Sequence, residues 1–478
     1  MKMVIGGKLA DASDGGVIEV INPATGKTID TIPSATEEDV KLAVEKAKLA
    51  QKIWAQVPVY QKAEILAKFL ALVETNKEDL ARTLSQETGK PITEARAEIG
   101  NISIAFKGFI EKAKHLYGEI IPHGQEAGQD RHVLLTVREP IGVIACIIPF
   151  NFPCDLFDQK VAPALLAGNA AIVKPSTDNP LTLCKLTALL VEAGVTDGAI
   201  EIITGRGSSV GNWLCGNPDV HAITLTGSTE VGIQTAKTAA NHLAHIALEL
   251  GGNDAFILLE DGDVDLAVEE LIWGRMYNCG QVCCASKRFL IHNSRKAEFT
   301  EKAITRIKKQ KCGDPADEST QIACLISEAA AKTIEQQVNL TVEQGGIIVL
   351  GGKRNGAFYE PTVIVDVPKA ADVAKDMEIF GPVVPIIGFD TVEEAIEIAN
   401  QSKFGLCGCV FTADMKKAFK VSSALECGGV VINGASFFRS FEMPFGGYKY
   451  SGLGTEGIMS TFDEVTLKKT IVLKNIAS

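Results

Sequence analysis

The sequence predicts an α/β chain in which parallel sheets are covered on both faces by helices. Two observations lead to this. From Gly142 onward, short apolar runs punctuated by glycine alternate with helical segments, and that alternation implies parallel strands joined by crossover helices. The 478 residues, at roughly 150 per domain, allow about three domains. A chain of this length buries a large core without disulfides or a structural metal.

Taken in order, the first quarter reads as helices. Val40, Ala43, Val44 and Ala47 recur at helical spacing behind Thr36, a candidate N-cap, and a second helical stretch runs from about Gln61 to Glu87. The strand candidates are Ile141–Ile148, Ala170–Val173, Ala199–Ile203, Ala222–Leu225, Ala255–Leu259 and Phe289–Ile291. Two segments stand apart, residues 131–139 (RHVLLTVRE) and 467–474 (LKKTIVLK). They read either as edge strands of the main sheet or as exposed strands that pair with each other's kind or with another subunit.

Composition excludes several classes. A net charge of −12 argues against nucleic acid as the main partner. The one basic cluster, Arg306 to Lys311, reads as a solvated helix end. The longest apolar run, Ile141 to Phe150, is about half a membrane span. The N-terminus lacks a long apolar stretch and a small-residue cleavage site, so the twelve cysteines are expected reduced, in the cytoplasm. None of their spacings forms a paired zinc pattern. His242, His245 and Glu249 would converge on a metal only in a continuous helix, yet Ile246 to Leu250 reads equally as a strand, so no metal is expected.

Chemistry concentrates in four places. Cys283 lies in Cys279-Gly-Gln-Val-Cys283-Cys284, a glycine-containing loop between a helical pattern (264–277) and a strand; a nucleophilic thiol needs such access and a lowered pKa. Glu249 stands inside the apolar stretch Leu248-Glu249-Leu250-Gly251-Gly252, where a carboxylate is either paired or kept for proton transfer. Asn151 follows a buried-type strand in Pro149-Phe150-Asn151-Phe152-Pro153, and its amide either donates to an oxyanion or shapes a turn. Thr226-Gly227-Ser228-Thr229-Glu230-Val231-Gly232 opens a helix after a strand. It is either a tight βα turn or a phosphate cradle, and Ile233-Gln234 in place of Lys-Ser/Thr disfavours ATP. Lys174-Pro175-Ser176 ends another strand, in reach of a ribose or phosphate.

Together with Glu378-Ile379-Phe380-Gly381-Pro382 and Pro444-Phe445-Gly446-Gly447, these blocks resemble the aldehyde dehydrogenase superfamily in order and spacing, over almost the whole chain from about Ile21 to Gly457. Asn151 to Glu249 is 98 residues and Glu249 to Cys283 a further 34. The resemblance implies a Rossmann-type coenzyme domain (1–117 and 141–250), an α/β catalytic domain (251–447) and a small β oligomerisation flap (118–140 and 448–478). It implies that Cys283 attacks an aldehyde, that Asn151 and the Cys283 amide hold the oxyanion, and that Glu249 activates water to hydrolyse a thioester. NAD or NADP would be held by Ile147, Pro149, Phe150, Lys174, Ser176, Thr177, Gly207, Gly211, Thr226, Gly227, Ser228, Val231, Leu250, Glu378 and Phe380. Thr177 replaces the glutamate of many NAD-preferring relatives, so NADP is expected to be accepted at least comparably. The substrate pocket would use Phe152, Asp155, Leu156, Gln159, Val282, Arg439 and Phe445.

The stretch 438–444 (FRSFEMP) resembles a pattern of branches acting on lactaldehyde and on phosphate-bearing small aldehydes, departing from it at Phe441. Arg439 would then meet a polar or anionic substrate group, or else an internal acid such as Asp155 or Glu442. A short polar aldehyde is the expected substrate, with succinate semialdehyde or a phosphate-bearing aldehyde as the alternative. Coenzyme A acylation is disfavoured by the presence of Glu249, and a non-catalytic role by the intact reactive positions. A homo-oligomer, dimer or tetramer, is expected.

Overall fold

The computed structural model describes residues 1–476. Five parallel strands form the heart of an eight-stranded sheet, in the spatial order Ile200–Ile202, Ala170–Lys174, Val143–Ile147, Ala222–Thr226, His245–Glu249. The chain winds outward in one direction and then returns to wind in the other, so the order reverses beside Val143–Ile147. At such a switch point the loops leaving the carboxyl ends diverge and open a crevice. The register aligns Lys174 with Ile147, Ile147 with Leu225, and Thr226 with Glu249. Four site residues expected from sequence therefore share one rim.

A hairpin of Met3–Ile5 and Lys8–Ala10 closes one edge of this sheet, and Gly452–Leu453 lies antiparallel on the other. Gly452 has φ 155°, and a Cβ there would sit 2.2 Å from the Leu248 carbonyl oxygen. Only glycine lets this segment approach the strand that carries Glu249.

Helix Glu37–Trp54 starts as expected: Thr36 caps it and exchanges hydrogen bonds with Asp39 in a capping box. The stretch expected as one helix from Gln61 to Glu87 is two, Val59–Thr75 and Lys77–Thr88, broken at Asn76. The first quarter also contains four short strands that its helical periodicity concealed: the hairpin above and the pair Val17–Asn22 with Lys27–Pro33.

The second sheet has seven strands, ordered Ile347–Leu350, Thr362–Val365, Val383–Phe389, Ser286–His292, Asp254–Leu258, Cys407–Phe411, Gly429–Ile432. All neighbours are parallel except the first pair. Its core is built around Phe256, whose ring meets those of Phe289, Phe299 and Phe411. Strand Ser286–His292 begins three residues after Cys283, so the centre of this sheet fixes one end of the cysteine loop.

The two stand-apart segments pair with each other. Thr466–Leu473 runs antiparallel to Val133–Pro140 over eight positions, and Ile120–Ile121 adds a third strand. Their reading as edge strands of the main sheet is thereby corrected; they form a separate sheet. Leu467, Ile471, Val472 and Leu473 remain exposed on it. The last two residues of the expected flap segment 448–478 lie outside the described residues. Among the described residues no helix is long and apolar enough to cross a membrane.

Candidate active site

Cys283 leaves an unusual turn. Asn278 and Cys279 both adopt left-handed conformations (φ 48° and 54°), followed by Gly280 at φ 73°. Two such non-glycine residues cost of order 1–3 kcal/mol each, so surrounding contacts must hold them. The Asn278 amide N–H donates to Glu94 (2.9 Å), and its side chain donates to the carbonyls of Asn151 (3.0 Å) and Gln281 (3.3 Å). The Gln281 side chain donates back to the Asn278 carbonyl (3.1 Å) and accepts from the Ile326 amide (2.9 Å). Asn278 thus ties the cysteine loop to the Asn151 loop.

The Asn151 loop is fixed from below by a buried ion pair, Lys90 with Glu98. Lys90 donates to the Asn151 carbonyl (2.9 Å), Glu98 accepts the Cys154 amide (2.9 Å), and the Lys90 ammonium sits 4.1 Å over the Phe152 ring. With its backbone clamped in this way, Asn151 lines the same cavity as Cys283. Neither Lys90 nor Glu98 was a sequence candidate, because both act across 60 or so residues of chain.

The Cys283 thiol is lowered to about 7. The hydrogen bond with Cys284 is the main cause; burial opposes it, and the charges of Lys287 and Arg439 assist. The Cys284 thiol is pushed well up by the same hydrogen bond and by burial. One of two adjacent thiols is therefore prepared as a nucleophile and the other as its donor.

Glu249 ends its strand buried, and neither of its carboxylate oxygens has a hydrogen-bond partner among the described residues. Burial, and then the charge of Glu456, raise it well above the usual carboxylate range, against the pull of Arg439. Glu456 is held by Lys160 (2.5 Å), itself fully buried, and by Arg439 (3.3 Å). Burial pushes Glu456 up, but the two cations outweigh it and keep it low. Its backbone pairs with Phe445 in both directions (2.7 and 2.8 Å), which seats it behind the Pro444-Phe445-Gly446 block. An internal partner for Arg439 was expected to be Asp155 or Glu442; it is Glu456. No local pattern marks Glu456, whereas Lys160, a cation inside an apolar helix, was a signal that sequence reading passed over. His245 and Glu249 stand at opposite ends of one strand and do not converge, and His245 pairs with Glu464 at 2.6 Å.

A cavity of about 1520 Å³, mouth included, joins the cysteine loop, the Asn151 loop and Arg439. Cys283, Asn151, Phe152, Asp155, Leu156, Val282 and Arg439 all line it. Phe152, Tyr277, Phe437 and Trp273 form a continuous aromatic wall with ring centroids 4.9–6.2 Å apart. Two expected pocket residues do not line the cavity. Gln159 lies one helical turn beyond Asp155 and is 1% exposed. Phe445 is buried beneath the Arg439 guanidinium, 4.1 Å from its ring centre, and acts as that arginine's platform.

Several of the residues expected to hold the coenzyme gather on the rim of the first sheet. Ser228 caps helix Thr229–Ala239 by accepting the Val231 amide, leaving the helix N-terminus beside Gly227. Among the described residues, the buried Lys174 donates only to the Pro175 carbonyl (2.9 Å), and the buried Thr226 hydroxyl has no partner. Gly207 and Gly211 bracket one turn where an added Cβ would meet open space. Phe150 and Phe380 meet edge to face at 6.0 Å, and Glu378 pairs with Lys287 (3.0 Å) and accepts from Gly252 (3.3 Å). Leu250 packs under Gly232. Thr177 donates to the Gly205 carbonyl (3.1 Å) and, with Arg206, lines a second cavity of about 1370 Å³. Free donors at a helix N-terminus, a buried lysine and open glycines fit a dinucleotide.

A doubly wound sheet, a lowered thiol sharing a cavity with an amide, and a buried carboxylate without a hydrogen-bond partner among the described residues fit an oxidoreductase of carbonyl compounds. The family model described as the aldehyde dehydrogenase family matches residues 10–471, and the chain belongs to that family. Its reaction is the NAD(P)-dependent oxidation of an aldehyde. Among relatives, it is 36% identical over 457 residues to a succinate-semialdehyde dehydrogenase (NADP(+)) of Escherichia coli (strain K12), covering 95% of this chain and 94% of that one. It is 36% identical over 475 residues to a lactaldehyde dehydrogenase of Methanococcus aeolicus, covering 98% and 99%. A betaine aldehyde dehydrogenase point mutant of Staphylococcus aureus, solved with NAD+, superimposes with a TM-score of 0.95 at 34% identity, covering 100% and 98%.

Proposed function

We propose that the chain oxidises a short polar aldehyde, such as lactaldehyde, to its carboxylic acid. The observation that carries this reading is Cys283, lowered to about 7, in one cavity with Asn151 and in electrostatic contact with the raised Glu249. The Cys283 thiolate adds to the carbonyl carbon, and the Asn151 amide with the Cys283 N–H receives the oxyanion. A nicotinamide held at the rim of the first sheet would supply the two-electron acceptor for the change from thiohemiacetal to thioester. Glu249 then takes a proton from water, hydroxide adds to the thioester, and the acid leaves as the thiolate is restored. The presence of Glu249 as a base for water favours hydrolysis over transfer to coenzyme A.

Thr177, uncharged beside Arg206, supports use of NADP as well as NAD. Residues 1–117 and 141–250 serve the coenzyme, 251–447 catalysis, and 118–140 with 448–478 assembly into a homo-oligomer. Twelve free cysteines suit a reducing cytoplasm. The test is turnover of a panel of small aldehydes with both nicotinamide cofactors, with and without coenzyme A. Cys283→Ala should abolish oxidation while cofactor binding persists. Oxidation by that variant at near the original rate would overturn the reading.

A further inference from the structure

We infer that Lys287 is a positioning residue for the nucleophile: its ammonium ties the Cys283 carbonyl to Glu378 and so couples the reacting residue to the coenzyme rim. This role rests on the reading above, in which Cys283 attacks the aldehyde and Glu378 meets the coenzyme.

Lys287 and Arg288 are neighbouring buried cations at the start of strand Ser286–His292. Successive side chains of a strand point to opposite faces, and the two cations have different partners. Arg288 serves the backbone. It donates to the carbonyls of Asn253 (2.6 Å), Ala374 (3.2 Å), Ile398 (2.9 Å) and Ala399 (2.8 Å). Lys287 turns toward the site. Its Nζ donates to the Cys283 carbonyl, stands 3.0 Å from Oε1 of Glu378 and lies 5.8 Å over the Phe380 ring. All three contacts belong to the cysteine loop or to residues expected to meet the coenzyme.

A buried ammonium keeps its charge only beside an anion. Here the anion is Glu378, whose side chain is 21% exposed while that of Lys287 is 1% exposed. The pair therefore has an inner cationic end on the cysteine loop and an outer anionic end at the rim. Glu378 also accepts from the Gly252 amide (3.3 Å), which fixes it to the segment that leaves Glu249. Covalent geometry keeps a cysteine sulfur within about 5 Å of its own carbonyl oxygen, so the ammonium stands within about 8 Å of the thiol. At that range in a protein interior, one unit charge shifts a neighbour's ionisation severalfold. The groups facing Cys283 are the thiols of Cys284 and Cys407, the cations Lys287 and Arg439, and the carboxylates Glu249, Asp254 and Glu378. Among the described residues, Lys287 and Glu378 are the charged pair of this set in direct contact with each other. Their effects on the thiol are opposite in sign.

The experiment follows alkylation of Cys283 by iodoacetamide against pH, without added coenzyme, with the labelled peptide identified by mass spectrometry. It compares the full-length wild type, Lys287→Met, Glu378→Gln and the double variant. Lys287→Met removes the cation and should raise the midpoint by about half a pH unit or more. Glu378→Gln removes the opposing anion and should lower it. The double variant should fall between the two. If Lys287→Met alone does not fold, the double variant, which leaves neither charge of the pair unpartnered, is set against Glu378→Gln, and its midpoint should be the higher. Equal midpoints in that comparison, or single variants that shift the same way, overturn the role of Lys287. Coenzyme binding, followed by quenching of tryptophan fluorescence, should weaken in Glu378→Gln. Unchanged coenzyme affinity there would overturn the coupling to the coenzyme rim. Failure of iodoacetamide to label Cys283 in the wild type would instead remove the reading of Cys283 as the nucleophile, and the role of Lys287 with it.

Discussion

Two neighbouring thiols of identical covalent chemistry are driven apart by one hydrogen bond, and this difference is measurable. Cys283 should react with iodoacetamide with a pH midpoint near 7, two below the ordinary 9.0 of a thiol. The rate follows the thiolate, so it rises through that midpoint and then levels off. Cys284→Ala removes the largest of the lowering influences and should move the midpoint upward; an unmoved midpoint would assign the shift to Lys287 and Arg439. At Glu249 the expected effect is kinetic. Glu249→Gln should slow release of the acid more than formation of the thioester, so a pre-steady-state burst of reduced cofactor appears. Equal loss of burst and steady state would place Glu249 in thiol activation instead. Cys283, Glu249 and Asn151 stood out in the sequence as candidates because each interrupts a simple pattern: a thiol in a glycine loop, an acid in an apolar run, an amide after a buried strand. Lys90, Glu98 and Glu456 were not, because their roles come from contacts made across the fold.

At the scale of elements, the loop between strand Val143–Ile147 and helix Pro153–Leu166 depends on the helix Ile92–Ala113 and the residues before it. Lys90 and Glu98 reach across to clamp that loop from both ends. Removing one partner of such a pair strands a buried charge, which costs roughly 3–5 kcal/mol, whereas removing both leaves an apolar contact and costs far less. Lys90→Met should therefore lower the unfolding midpoint strongly and reduce activity, and Lys90→Met combined with Glu98→Met should recover much of the stability but not the activity. Denaturant unfolding followed by tryptophan fluorescence checks this. A single variant as stable as the wild type would mean that water already screens the pair. The element reading from sequence succeeded where period and punctuation agree, as at Thr36 and in four of the five parallel strands of the first sheet; His245–Glu249 had read equally as helix. It failed for Val17–Asn22 and Lys27–Pro33, whose strands are short and alternate only weakly, and across Asn76, where one residue breaks a periodicity that otherwise continues.

For the whole molecule, the three-stranded sheet stands outside both main sheets and carries four exposed apolar side chains on Thr466–Leu473. A strand of this kind with a free edge and apolar face is a surface that a second copy can cover. Light scattering should give a mass of two or four chains, and a chain ending at Val465 should dissociate or aggregate. A wild-type monomer at working concentration would remove the assembly role. The sequence by itself determined the class of fold and offered the candidate trio and coenzyme residues, because these show as local pattern: glycine at tight turns, apolar runs for buried strands, reactive side chains at strand ends. Only the tertiary structure decided how their charges are balanced. The partner of Arg439, the clamp beneath Asn151 and the exclusion of Gln159 from the cavity all arise where segments distant in the chain meet in a low-dielectric interior. There, burial and pairing set the state of every ionisable group, and no local pattern encodes which partners meet.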